Sequence, residues 1–153
     1  MTLKEWAVQF ARRRAAALGG SLAETPDGAR LSAKGATQVF VVRDRLGPDL
    51  LDLAPAEPTV VVCEYSETNF EFVAAHFERL AAKTQLSFLF VHESGHETWR
   101  IKPALHAKFA DPATLKQGLR ASFDAVVGKA LESFDGGADG ETLGEIYILV
   151  TVQ

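Results

Sequence analysis

The chain is short of the residues that staple small proteins or carry common cofactor chemistry. It has one cysteine, Cys63, so no intramolecular disulfide can form. Cys63 lies in the apolar run Thr59–Cys63, where a reduced thiol packs as a small hydrophobe. That usage fits a reducing compartment, and the expected location is the cytoplasm. No apolar run reaches the roughly 20 residues that a membrane-spanning helix needs. The opening residues, MTLKEWAVQFARRR, scatter charge among apolar positions and lack the unbroken apolar segment of a signal peptide. There is no Walker loop, no G-x-G-x-x-G, no paired C-x-x-C and no nucleophile elbow. These gaps weigh against the P-loop, dinucleotide-binding, zinc-ribbon and serine-hydrolase classes. A basic excess is missing too. The net charge is −4, which argues against a chain built on nucleic-acid contact.

What is present reads as one domain spanning residues 1–153. The chain is 47% hydrophobic and 24% charged, and 153 residues suffice to bury a core without disulfides or metals. Thr2 and Glu5 predict a capping box, followed by an apolar stripe at Leu3, Trp6, Ala7, Phe10, Ala11, Ala17 and Leu18. Gly19-Gly20 closes that helix. Pro26-Asp27-Gly28 predicts a turn between two short strands, and Thr37–Arg43 is a third. Residues 46–58 hold three prolines and read as a loop, with a short strand at Leu50–Leu53 as an option.

The centre is the most informative stretch. Thr59–Cys63 is apolar without alternation, as in a strand covered on both faces. A helix follows, with Thr68 and Glu71 as its capping box and a stripe at Phe70, Val73, Ala74, Phe77, Leu80 and Ala81. Leu86–Val91 is a second apolar strand. Strand, crossover helix and strand predict a right-handed βαβ unit with parallel strands. Thr98–Ile101 reads as a strand. Asp111-Pro112 starts a helix whose core face runs from Leu115 to Phe134, and Ile146–Val152 is a closing strand after the glycine-rich Asp135–Gly140. The expected fold is therefore α/β: a mixed five- to six-stranded sheet with a central parallel βαβ unit, flanked by three helices. The closing strand is apolar on both faces, so helices or a second subunit must cover it, and a homodimer is one way to do so.

Two motifs suggest chemistry. His92-Glu93-Ser94-Gly95-His96 fits H-E-x-x-H and resembles the zincin motif, in which two histidines one helical turn apart hold Zn²⁺ and the glutamate activates its water. The flanking Leu86–Val91 reads as strand, however, and Ser94-Gly95 favours a turn. His106 or Asp111 would have to serve as third ligand, without zincin spacing. The order of elements (helix, short strands, helix, strand) resembles the restriction-endonuclease-like nucleases. That resemblance implies an aspartate followed by an acidic-x-Lys triplet, whose carboxylates hold Mg²⁺ for phosphodiester attack. Here the strand in the place of the family's third ends in Glu64-Tyr65-Ser66, with Asp44 or Asp52 upstream. Ser66 stands where the family has lysine, so the resemblance implies a degenerate, non-cleaving site unless Arg79 or Lys83 substitutes.

A third argument needs no family. In open α/β sheets, ligands bind beyond the carboxyl ends of the parallel strands. Those ends carry Glu64, Tyr65 and Ser66 on one strand and His92 and Glu93 on the other, with the helix start at Asn69–Glu71 opening beside them. The candidate residues are thus Glu64 and Glu93 as acid/base groups, and His92, His96 and Glu64 as ligands of a divalent metal, which is the only cofactor implied. Arg12, Arg13 and Arg14 are the candidate nucleic-acid contact, against the simpler reading of a solvated helix face. His76, Trp6 and Trp99 fit core or rim positions. No catalytic set is complete, so a non-catalytic binding or assembly module is the leading expectation and a metal-dependent hydrolase is the rival.

Overall fold

A computed structural model describes residues 1–93, 97–108 and 111–126. The element order is α1 (Leu3–Leu18), β1 (Ser21–Thr25), β2 (Gly28–Ala33), β3 (Ala36–Val42), a 3₁₀ turn at Pro48–Asp52, β4 (Thr59–Glu64), α2 (Glu67–Ala75), α3 (Phe77–Ala81), β5 (Leu86–Val91), β6 (Thr98–Ile101), α4 (Pro103–His106) and α5 (Pro112–Val126). The fold is α/β, as expected. The predicted segments Asp135–Gly140 and Ile146–Val152 lie outside the described residues. Among those residues, no helix is long and apolar enough to cross a membrane.

The six strands among the described residues lie in sequence order across one sheet. β1, β2 and β3 form an antiparallel meander, β3–β4 and β4–β5 are parallel, and β6 returns antiparallel to β5. The meander turns tightly at Lys34 and Gly35, whose φ values of 52° and 79° are both positive, the requirement of a type I′ hairpin. Two parallel pairs require two crossovers. Right-handed crossovers that step in the same direction across a sheet must share a face. They do so here: Leu46, Leu50 and Leu51 of the first join Phe70, Val73, Phe77 and Leu80 of the second in one cluster with Val61, Cys63, Phe88 and Phe90. α5 adds Leu115, Leu119 and Phe123 to that face. The opposite face is left to α1, which packs Trp6, Ala7, Phe10 and Ala11 on Ala29, Leu31, Phe40, Val62 and Leu89.

α1 forms as its sequence dictates. The Thr2 side chain accepts from the Glu5 N–H, the Glu5 carboxylate accepts from the Thr2 N–H, and Gly19 closes the helix at φ 68°. Its buried stripe differs from the expected one. Arg14 is 4% exposed and Ala17 is exposed, so the face turned to the sheet runs through Arg14 and Ala15.

Three further boundaries depart from expectation. Leu50 and Leu51 belong to the 3₁₀ turn, because Pro48 has no N–H for a strand ladder and pre-sets the first turn. α2 starts on Ser66, not Thr68: the Ser66 hydroxyl accepts from the Asn69 N–H at 3.2 Å. The single helix expected through Lys83 breaks at His76 (φ −112°, ψ 21°) into α2 and α3. Together with the four-residue α4, which leaves no room for an amphipathic period, this raises the helix count among the described residues from three to five.

Candidate functional site

The register sets Glu64 of β4 opposite Val91 of β5, so the carboxyl ends of the parallel strands share one rim. Glu64, Tyr65 and Ser66 leave one strand there and His92 and Glu93 leave the other. α5 crosses above them. Glu64 and Glu93 are exposed, and His92 and Tyr65 are half-buried. Asp44 joins the rim because the Glu64 N–H donates to the Asp44 carbonyl at 3.2 Å. Asp52 lies in the 3₁₀ turn instead. Four strands, not three, precede α2, so Glu64 closes the fourth.

Asn69 organises this rim, and the sequence reading passed over it as one residue of a helix start. Its side chain is fully buried. The Leu46 N–H donates to its Oδ1 at 2.9 Å, and its Nδ2 donates to the carbonyls of Asp44 (2.8 Å) and Glu64 (2.9 Å). One amide therefore ties the end of β3, the following loop and the end of β4 together. An amide is the one side chain type that offers both the acceptor and the two donors required. Its own N–H is capped by the Ser66 hydroxyl.

Tyr65 fastens α5 to the sheet. Its ring stacks on Phe123 at 4.1 Å, and its hydroxyl donates to the Phe123 carbonyl. Burial raises its pKa to about 12, with Asp124 adding to the rise and Arg120 opposing it. The hydroxyl is thus held protonated, as a donor and not a base. Arg120 of α5 makes a two-pronged contact with Glu67 of α2, one prong at 2.8 Å, and pairs with Asp124 at 3.0 Å. Its guanidinium lies 4.9 Å from the Phe70 ring centre. The Arg120 contact holds the Glu67 carboxyl below its ordinary range. Beneath them Phe123 meets Phe70, Phe90 and Trp99 edge-on or tilted, and the Trp99 indole N–H donates to Ser122 at 2.8 Å.

The H-E-x-x-H segment takes a hairpin geometry at its described ends. The His92 N–H donates to the Glu97 carbonyl at 2.8 Å, continuing the antiparallel ladder of β5 and β6. His92 Nδ1 lies 3.4 Å from the Glu97 carboxylate, and its ring meets Tyr65 edge-on at 5.9 Å. The helix that a zincin motif requires is therefore not what starts at His92. His96 lies outside the described residues. His106, the last residue of α4, is 2% exposed, with Nδ1 2.9 Å from the Lys102 carbonyl. Asp111 caps α5, and the Thr114 N–H donates to it at 3.0 Å. Among the described residues, no group of three His, Cys, Asp or Glu side chains is placed to hold a metal ion. Cys63 is fully buried, and burial pushes its thiol well up, away from the thiolate that reactive cysteines need.

The other candidates are dispersed. Lys83 donates to the Leu53 carbonyl at 2.7 Å and holds the loop before β4. Arg79 is exposed on α3. The His76 ring lies tilted against Phe72, their centres 4.6 Å apart, at the helix break. Of the three consecutive arginines, Arg12 and Arg13 are exposed and Arg14 is buried, so the three do not share one solvent-facing patch. Arg12 lies 3.4 Å from Glu24. Comparison of the chain with family models, curated proteins and solved structures yields no match.

Proposed function

We propose that the chain is a non-catalytic binding or assembly module working in the reducing cytoplasm. One observation carries this reading: the rim's polar side chains act as fasteners between elements. Asn69 fills its hydrogen-bonding capacity with main chain, the Tyr65 hydroxyl is spent on α5, and Arg120 bridges α2 and α5. Such a rim presents a rigid surface made by several elements at once, which suits recognition of a partner. On this reading the nuclease resemblance is one of architecture. Glu64 is a surface carboxylate whose main chain, through Asn69, does the structural task.

Metal titration of the intact protein tests the proposal. We expect no thermal shift and no heat of binding with Zn²⁺, Mn²⁺ or Mg²⁺, and no salt-sensitive retention on DNA. Stoichiometric metal binding lost in His92→Ala, together with phosphodiester or peptide hydrolysis lost in Glu93→Gln at unchanged fold, would overturn it in favour of a metal-dependent hydrolase using Glu64, His92, Glu93 and His96.

A further inference from the structure

Among the described residues the sheet ends on β1, which pairs on one side only, with β2. None of its five residues is buried. In an antiparallel pair every second residue turns its N–H and C=O away from its partner, so this strand offers a ladder to a newcomer. Outer strands are commonly blunted by lysine, proline or a bulge. Ser21–Thr25 has no Lys and no Pro, and its five residues pair with β2 in unbroken register.

Beside this edge, α1 and β1 enclose a groove of about 650 Å³ lined by Met1, Lys4, Glu5, Val8, Arg12 and Glu24, among others. Its charge is balanced, with two basic and two acidic side chains. Met1 is 79% exposed, the one large hydrophobic side chain so exposed among the described residues. A surface of one sign repels its own copy, whereas a balanced surface complements itself across a two-fold axis.

The strand has the same property. An antiparallel β1 pair centred on Ala23 sets Ser21 against Thr25 and Leu22 against Glu24. No like charges then stand opposite each other, and a hydroxyl pair falls at each end.

We propose that β1 is the interface with a second copy of this chain: two β1 strands pair across a two-fold axis into one continuous sheet, and the 3.4 Å Arg12–Glu24 pair that each copy makes within itself is exchanged for pairs between the copies. This does not depend on the rim. β1 lies at the opposite end of the sheet from the β5–β6 hairpin, so a dimer can form whatever the rim binds.

The test is sedimentation of the full-length chain from micromolar to hundreds of micromolar. We expect a dimer. Glu24→Arg and Arg12→Glu should each weaken it about tenfold, and the double reversal should return the Kd to within about threefold of the parent, as coupled charge pairs do. Hydrogen exchange over Ser21–Thr25 should slow as the dimer fills. A chain that stays monomeric throughout the range overturns the proposal. So does a dimer whose Kd neither single reversal moves, because it would use another surface. Circular dichroism of each variant confirms that the fold is retained. A surface ion pair serving only its own chain would leave the mass unchanged in all three variants.

Discussion

β1 and β5 belong to the same sheet but live in different solvents. All six residues of β5 are buried, and none of β1 is. β5 lies under α1 on one side and under α2 and α5 on the other, whereas among the described residues the meander β1–β3 is packed by a helix on one face only. Along β2, Ala29, Leu31 and Ala33 are buried while Arg30 and Ser32 face solvent. The described residues therefore form three layers at one end and two at the other. Stability is concentrated where there are three layers, and open surface where there are two.

The sharpest way to break this contrast is at Trp99, which is 1% exposed and packs on Phe70, Phe90 and Phe123. Trp99→Ala should cost about 4 kcal/mol in urea unfolding, through the cavity and the orphaned Ser122 contact. Asn69→Ala comes next. It strands one N–H and two carbonyls in a buried site, and a loss of about 3 kcal/mol is expected. Circular dichroism melts should show the native far-UV signal at low temperature in both variants.

Tyr65→Phe probes the α5 clasp at smaller scale, with an expected loss of about 1 kcal/mol at neutral pH. It also carries a pH signature. The folded Tyr65 pKa is raised to about 12, above the unfolded value of about 10. The folded state thus holds the proton more tightly. Its contribution is whole below pH 10 and is lost as pH rises towards 12. Denaturant titrations across that window should show a steeper alkaline decline in the parent than in Tyr65→Phe. At the open end, Arg30→Ala removes a 2.6 Å ion pair to Glu57, both partners being more than one-third exposed. A change of no more than about 0.5 kcal/mol is expected there. A loss at Arg30 as large as that at Asn69 would erase the distinction between the two ends.

The three-layer end was also the more legible one. Thr59–Cys63 and Leu86–Val91 read as strands because a strand covered on both faces must be apolar throughout, and no other requirement competes. α1 and its caps were equally clear, since Thr2, Glu5 and Gly19 act locally. Elsewhere the signals were ambiguous for physical reasons. The break at His76 leaves the apolar stripe intact: Phe70, Val73, Phe77 and Leu80 bury in one cluster on both sides of it. Periodicity therefore carries no trace of the break. Ser66-x-x-Asn69 and Thr68-x-x-Glu71 both fit a cap, and the helix uses the earlier one. Arg14 read as solvated from its charge alone, yet its place on the helix turns it to the sheet. At the rim, Glu64 and His92 announced themselves by residue type and strand position. Asn69, Tyr65 and Arg120, which hold the rim together, did not. Their partners on other elements, Leu46 and Asp44 for Asn69, Phe123 for Tyr65 and Glu67 for Arg120, lie between 23 and 58 residues away in the chain, and no local pattern encodes such pairings.

The order of the strands has a consequence for synthesis. Among the described strands, each one's sheet neighbours are its neighbours in the chain, so none of β1–β6 waits for a distant partner within that set. As the polypeptide leaves the ribosome, every new strand meets a template already in place, and the sheet can grow from β1 to β6 without rearrangement. The long waits fall on α1, whose last strand contacts come with β4, β5 and β6, and on the rim, which closes when α5 arrives. Force-resolved or arrest-peptide measurements on nascent chains should therefore register one folding event near the emergence of β4 and a second at α5.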